Sequence, residues 1–132
     1  MPAYINWIAI VVSALAGFAV GALWYGPVFG KVWMRESAVT MDKARSANMP
    51  KLYGTVLVLN LIAACSLDMF IGPNATWRFG LFAGFMTGLT FVATALGVIY
   101  LFEFRSLRLW FINAGYQIVI FSVMGTILGA WR

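Results

Sequence analysis

Four long apolar stretches dominate the pattern of hydrophobic and polar positions along this chain of 132 residues. They cover residues 5–25, 52–71, 79–101 and 107–130, and shorter polar or charged segments separate them. A helix of about 20 apolar residues is long enough to cross a membrane, and Asp68 is the one acidic residue within these stretches. The pattern therefore predicts an all-α, polytopic membrane protein in which residues 1–132 form a single domain of four transmembrane helices.

A shorter amphipathic segment lies between the first two spans. Gly26 and Pro27 interrupt the first apolar stretch, because proline removes a backbone donor and fixes φ. The apolar and basic residues that follow are mixed in a way that suits a short helix lying at the lipid surface. A candidate interfacial motif at this point consists of Trp24, Tyr25, Pro27, Lys31 and Trp33.

Composition and charge give this architecture an orientation. Only 10% of the residues are charged, whereas about a quarter of a soluble domain is charged, so an ordinary soluble enzyme and a disordered chain are excluded. The net charge of +5 is concentrated in two loops, which hold Lys31, Arg35, Lys43, Arg45, Lys51, Arg105 and Arg108. The positive-inside rule places both loops in the cytoplasm and both termini on the opposite side. Lipid headgroups account for these charges more simply than nucleic acid does.

Polar residues within three of the spans form a second pattern. A rise of about 1.5 Å per residue places them roughly 9–16 Å from the span ends that join the basic loops. Because polar groups in hydrocarbon need partners, this polar layer is expected to face the bundle interior. It can consist of hydrogen bonds between helices, or it can form a small polar pocket for a ligand or a transported solute. Its members are Asn60, Thr90, Thr94, Asn113, Tyr116 and Gln117.

Asp68 lies near the C-terminal end of the second span, where the helix dipole disfavours an anion. A partner is therefore expected, and Arg78, at the start of the third span, is the available cation. The pair predicts an ion pair across a short loop. The alternative is a site that handles protons or cations, because carboxylates within membranes often do so.

Glycines recur at four-residue spacing on three spans. Such stripes allow two helix backbones to approach closely, so that van der Waals packing drives their association. The association can lie within one subunit or between this chain and a second copy or partner. The glycines are Gly17 and Gly21 on the first span, Gly80, Gly84 and Gly88 on the third, and Gly125 and Gly129 on the fourth.

The chain has few groups for catalysis or metal binding. It contains no histidine, its single cysteine is Cys65, and its four acidic residues are scattered. The sequence also has no phosphate-binding loop and no nucleophile with an adjacent base. We therefore expect no catalytic residue, no cofactor and no metal site.

Motifs near both ends of the chain resemble a known family. Residues 21–27 have the sequence GALWYGP, residues 109–116 have LWFINAGY, and residues 124–132 have MGTILGAWR. These motifs are similar to those of a bacterial family of small four-helix membrane proteins that is labelled as a domain of unknown function. The resemblance covers nearly the whole chain. It implies four spans in the bacterial inner (cytoplasmic) membrane, with both termini periplasmic once the charge rule is applied, and it implies no established activity.

Three functional hypotheses follow, from most to least favoured. The first is a non-enzymatic membrane protein that acts through helix packing, as a homo-oligomer or as an accessory subunit of other membrane proteins. The second is a small oligomeric transporter or channel lined by the polar layer, with Asp68 coupling protons. The third is a lipid-modifying enzyme that uses Glu103, Tyr25 or Lys31 at the cytoplasmic surface.

Overall fold

The computed structural model describes residues 5–37 and 48–131, and every regular element in these ranges is helical. Two of the helices continue into π-helical turns, in which hydrogen bonds span five residues instead of four. In chain order the elements are α1 (Trp7–Leu23), a first π turn (Trp24–Val28), α2 (Gly30–Ser37), α3 (Met49–Ile71), α4 (Trp77–Thr87), a second π turn (Gly88–Val92), α5 (Ala93–Phe102) and α6 (Leu107–Ala130).

Four stretches of helix are long and apolar enough to cross a membrane, which confirms the all-α, four-span prediction. We number them span 1 (Trp7–Val28), span 2 (Pro50–Ile71), span 3 (Trp77–Phe102) and span 4 (Leu107–Ala130). Their ends agree with the predicted ends to within a few residues. Two of the seven loop cations, Lys43 and Arg45, lie outside the described residues, as does Arg132.

Each span begins at a side chain that caps its first turn. A side-chain oxygen accepts a hydrogen bond from the backbone N–H three residues later, at distances of 3.1–3.2 Å. Such caps satisfy donors that a helix leaves open at its start. The capping residues are Asn6, Asn48, Thr76 and Ser106.

The first π turn carries the chain from span 1 into α2. The backbone N–H of Phe29 donates to the carbonyl of Trp24 at 2.9 Å, so the helix continues through Pro27 to Val28 instead of ending at Tyr25 as the sequence suggests. Gly30 then lies against the preceding turn, where a Cβ would be 2.7 Å from the Tyr25 carbonyl oxygen. This close approach explains why a glycine begins α2.

Span 4 is the centre of the bundle. It packs against all three other spans, and spans 1 and 2 also pack against each other, whereas span 3 packs mainly against span 4. Accordingly 33% of the most apolar 18-residue stretch of span 4 is buried, compared with 11% of the corresponding stretch of span 3. We call the end where spans 1 and 3 begin the terminal end, and the end where they finish the basic end.

Close backbone contact joins span 3 to span 4 in the half of the bundle nearer the terminal end. A Cβ at Gly80 or Gly125 would overlap the carbonyl of the other residue, and a Cβ at Gly84 would overlap the carbonyl of Phe121. Gly129 lies as closely against the carbonyl of Thr76. This glycine seam uses both predicted stripes within one chain.

The glycine stripe of span 1 also faces its own chain. A Cβ at Gly17 would be 3.4 Å from the Asn60 side-chain nitrogen, and a Cβ at Gly21 would be 2.9 Å from the Tyr116 hydroxyl. Nearby, toward the terminal end, apolar side chains of spans 1, 2 and 4 form the buried core. Its members include Ile10, Leu67, Met124 and Leu128.

Candidate functional site

Hydrogen bonds centred on Asn113 join three spans near the basic end. The Tyr25 hydroxyl of span 1 donates to Asn113 Oδ1 at 2.6 Å. Asn113 Nδ2 in turn donates to the Tyr100 hydroxyl oxygen of span 3, also at 2.6 Å. A single amide of span 4 therefore uses both its acceptor and its donor to connect the two neighbouring spans.

Two tryptophans strengthen the same contacts by donating to backbone carbonyls. Trp24 Nε1 donates to the carbonyl of Ile112 at 2.8 Å, and Trp110 Nε1 donates to the carbonyl of Ala93 at 2.9 Å. Gly115 makes room for the first indole, because a Cβ there would be 3.2 Å from Trp24 Cζ2. The two tryptophans thus bind span 1 and span 3 to span 4.

Aromatic rings complete the site around Tyr25. Its ring meets that of Trp33 on α2 edge to face at 5.3 Å, and that of Tyr116 on span 4 edge to face at 5.1 Å. Such geometry is favourable for aromatic pairs, and it holds α2 over the end of span 1. We call the whole group the aromatic–amide cluster; it consists of Trp24, Tyr25, Trp33, Tyr100, Trp110, Asn113 and Tyr116.

Two further polar side chains lie deeper in the bundle. The Tyr116 hydroxyl donates to the carbonyl of Gly17, and Asn60 Nδ2 donates to the carbonyl of Ala14, each at 3.5 Å. Both side chains are at most 9% exposed. They connect span 1 to spans 4 and 2, and their long distances indicate weaker bonds than those of Asn113.

The predicted polar layer is therefore divided. Asn113, Tyr116 and Asn60 face the interior, and Gln117 is half-buried on α6. Thr90 and Thr94 are exposed on span 3, where their hydroxyls donate to carbonyls of their own helix. The position of a residue along its helix predicts its depth in the membrane but not whether its side chain faces the bundle interior. A threonine hydroxyl, moreover, can donate to a carbonyl of its own helix and so needs no partner on another span.

Asp68 and Arg78 do not form the predicted ion pair in the part of the chain that the structure describes. The Arg78 guanidinium lies over the ring of Trp77, 5.4 Å from its centroid. Asp68 is fully buried, and its Oδ2 accepts a hydrogen bond of 3.4 Å from the backbone N–H of Asn6. The two side chains point to different surroundings, which explains why they do not pair. The Arg78 guanidinium is exposed, whereas the Asp68 carboxylate is buried against span 1.

The predicted interfacial motif does not act as a single surface. Trp24, Tyr25 and Trp33 point into the aromatic–amide cluster, whereas Pro27 and Lys31 are exposed. On the same side of the molecule Glu36 of α2 lies 4.0 Å from Arg108 of span 4, and Glu103 lies 2.6 Å from Arg105. The residues described contain no group of three or more histidine, cysteine, aspartate or glutamate side chains that could hold a metal ion.

Sequence reasoning did not identify Tyr100, Trp110 and Gly115 as members of this site. Tyr100 is one residue from the predicted end of the third span, whereas Asn113 is six residues inside the fourth, so depth did not point to Tyr100. Trp110 precedes Asn113 by three residues on the same helix face, and that signal was present in the sequence. Nothing in the sequence, by contrast, shows that Gly115 must be small to accommodate an indole from a distant span.

The motifs that carry the resemblance to a family meet at this site, since residues 21–27 and 109–116 supply most of the cluster. A family model described as "Protein of unknown function (DUF1761)" matches residues 8–129 of the chain. No curated protein and no solved structure matches the chain.

Proposed function

The chain belongs to the DUF1761 family, whose function is unknown, and from this premise we propose that it is a non-enzymatic membrane protein that assembles through helix packing. Span 3 supplies the contact surface in this proposal. The observation that carries it is the position of span 3 at the side of the bundle, where it packs mainly against span 4 and is only 11% buried.

One side of span 3 offers a continuous exposed surface. Exposed residues recur along it at intervals of three or four, which is the spacing of a single helix face. We call this surface the outer stripe; it consists of Phe79, Phe82, Met86, Thr90 and Thr94. Large aromatic and methionine side chains supply contact area, and the threonines allow hydrogen bonds between helices.

The contacts that the chain makes within itself support the choice of the outer stripe as the assembly surface. Glycine stripes are the usual sites of close helix association in membranes, but those of this chain already face its own spans. The aromatic–amide cluster likewise uses its donors and acceptors within the chain. A second copy, or another membrane protein acting as partner, therefore meets the chain through larger side chains on span 3.

Cysteine cross-linking in membranes tests this proposal. In a Cys65→Ser background, Phe82→Cys places one thiol on the outer stripe. Ser66→Cys is a matched control, because Ser66 is also exposed and lies on span 2 about as far from the terminal end as Phe82 does on span 3. Oxidation should join Phe82→Cys chains into a disulfide-linked dimer and leave Ser66→Cys monomeric.

The size of the product distinguishes the two kinds of assembly. A band of twice the mass of the chain indicates a homo-oligomer, and a heavier band that contains a second protein indicates an accessory subunit. If both variants cross-link equally, or if neither does, the outer stripe is not an assembly surface and the proposal fails.

We also propose that the basic end faces the cytoplasm of a bacterial cell, with the protein in the inner membrane. The exposed cations Lys31, Lys51 and Arg108 lie at that end, which suits anionic headgroups under the positive-inside rule. Reporter fusions at the two termini test this orientation. Activity of a periplasmic reporter at both termini is expected, and a cytoplasmic signal at either would reverse the assignment.

A transporter or channel is the second candidate, and one observation favours it. Thr90 and Thr94 are the polar members of the outer stripe, so an assembly through span 3 brings hydroxyls from several chains together within the membrane. Solute flux in proteoliposomes that falls on the double substitution of Thr90 and Thr94 by valine would support this candidate. Unchanged flux, or none, would leave helix packing as the function.

A further inference from the structure

A shallow, open apolar groove runs along span 4 on the side between span 1 and span 3. Its floor is formed by successive turns of α6, and one side chain from each neighbouring span forms a wall, Val12 from span 1 and Leu81 from span 3. Two adjoining depressions share Ile127 and make it continuous. The residues of α6 and its cap that line it are Ser122, Val123, Thr126, Ile127, Ala130 and Trp131.

The groove presents no free hydroxyl to an occupant, although two of its residues are polar. The Ser122 hydroxyl donates to the carbonyl of Ile118, and the Thr126 hydroxyl donates to the carbonyl of Ser122, each at 2.7 Å. Both protons are therefore used within α6, and the surface that remains is formed mostly by methyl and methylene groups. An apolar chain fits such a surface better than a polar solute does.

The length and direction of the groove match one acyl chain. At about 1.5 Å per residue, the distance along the helix from Ser122 to Trp131 is roughly 13 Å. One leaflet contributes about half of the 30 Å hydrocarbon core, so the groove extends from near the middle of the membrane to its surface at the terminal end. Asn6 Nδ2 donates to the Trp131 carbonyl at 3.0 Å, which holds this end of span 4 beside span 1.

A cation lies where the headgroup of such a lipid would be. Trp77 and Arg78 precede Leu81 by four and three residues, so both are on its side of span 3, one turn closer to the membrane surface. The Arg78 guanidinium lies over the Trp77 ring and is exposed. It can therefore pair with a phosphate, and among the described residues no ion pair occupies it.

We propose that this groove binds one anionic phospholipid, with an acyl chain along span 4 and the phosphate at Arg78. The site is separate from the outer stripe, because span 3 contributes Leu81 to the groove and Leu81 is not a member of that stripe. Lipid binding at the groove and assembly through the outer stripe are consequently independent, and the failure of one leaves the other standing.

Retention of lipid by the purified full-length protein tests the proposal. The protein is reconstituted in phosphatidylcholine vesicles that contain phosphatidylglycerol as the minor component and is then extracted in mild detergent. Bound lipids are counted by native mass spectrometry. We expect about one phosphatidylglycerol per chain and little phosphatidylcholine, because only the anionic headgroup, with its unbalanced phosphate charge, gains net attraction from Arg78.

Two pairs of variants separate the headgroup from the chain. Arg78→Gln should lower phosphatidylglycerol retention about fivefold, as expected for an exposed ion pair, whereas Lys51→Gln at the basic end should not change it. Val123→Trp fills the groove and should reduce retention to about a tenth or less, because the indole occupies the space of the acyl chain. Val58→Trp is its control, since Val58 is exposed on span 2.

Several outcomes overturn the proposal. Equal retention of phosphatidylcholine and phosphatidylglycerol by the unmodified protein indicates an ordinary lipid annulus. An unchanged count in Arg78→Gln removes the headgroup site, and this exposed substitution remains informative if Val123→Trp fails to fold. An equal loss in Val58→Trp would show that the effect does not depend on the groove.

Discussion

The two ends of the bundle hold their helices together by different means. At the basic end, Tyr25, Asn113 and Tyr100 form directional hydrogen bonds between three spans. Toward the terminal end, by contrast, Gly80 and Gly125 bring two backbones into contact, and apolar side chains fill the space between spans 1, 2 and 4. The basic end depends on matched donors and acceptors, and the terminal end depends on close backbone contact and apolar packing.

The tryptophans show the same contrast. Trp7, Trp77 and Trp131, toward the terminal end, are 46–55% exposed, as expected for an aromatic belt at a membrane surface. Trp24, Trp33 and Trp110, toward the basic end, are half-buried and belong to the aromatic–amide cluster. Residues of one type therefore have two roles, an interfacial one and a cross-linking one.

The comparison shows where stability is most easily lost. Within hydrocarbon no hydrophobic force drives helices together, so contact between them depends on close packing and hydrogen bonds. A hydrogen bond within a membrane contributes about 0.6 kcal/mol on average, whereas overpacking a tight contact costs 1–3 kcal/mol or more. We therefore expect the glycine seam to be the more sensitive of the two.

The largest effect is expected for Gly80→Val. Its Cβ would overlap the Gly125 carbonyl, so span 3 must separate from span 4 along the glycine seam. We expect a loss of about 3 kcal/mol or more in the free energy of unfolding, measured by titration with denaturing detergent. Gly54→Val is the matched control, because nothing lies within 4 Å of a Cβ at that position. A loss of less than about 1 kcal/mol at Gly80 would show that the backbones do not touch.

Asn113→Leu is expected to have the next largest effect, at the other end of the bundle. It removes the amide that joins Tyr25 to Tyr100 and leaves two phenol hydroxyls without their partner. The expected loss in the free energy of unfolding is about 2 kcal/mol. A double-mutant cycle with Tyr25→Phe should show coupling, since both changes remove the same hydrogen bond. Additive losses would contradict that bond, and Tyr53→Phe, an exposed tyrosine, serves as control.

A pair of tryptophan substitutions compares the two ends directly. Trp24→Phe keeps an aromatic ring but removes the donor to the Ile112 carbonyl, and it should cost about 1 kcal/mol in the free energy of unfolding. Trp77→Phe should cost less than about 0.5 kcal/mol, because that ring is largely exposed. Similar losses for the two variants would mean that the ends of the bundle do not differ in this way.

Sequence reasoning succeeded where a single helix contains the whole signal. The lengths of the apolar stretches predict the four spans. The glycine spacing at Gly80, Gly84 and Gly88 predicts a close contact. It does not identify the neighbour, because spacing describes one helix and a contact requires two.

The candidate site was less predictable for the same reason. The rotation of each span about its axis decides whether a polar residue faces inward, and it depends on packing between helices that are distant in sequence. Asn113 and Thr94 lie at nearly the same predicted depth, yet the first is hydrogen-bonded between spans and the second is exposed. The π turn at Gly88–Val92 was also unforeseen, and it alters the rotation of span 3 partway along its length.

The smallest expected effects, those of Thr90→Val and Thr94→Val, test this division of the polar layer most directly. Each hydroxyl donates to a carbonyl of its own helix, a bond that adds little to stability and slightly disturbs the helix. Valine should therefore change the free energy of unfolding of the detergent-solubilised chain by less than about 0.5 kcal/mol, with a slight gain as the more favourable sign. A loss near that of Asn113→Leu would instead place the threonines inside the bundle, and the polar layer would be continuous across three spans. If the two substitutions leave the free energy of unfolding unchanged in detergent but lower it in the membrane-assembled form, the two hydroxyls make contacts between chains.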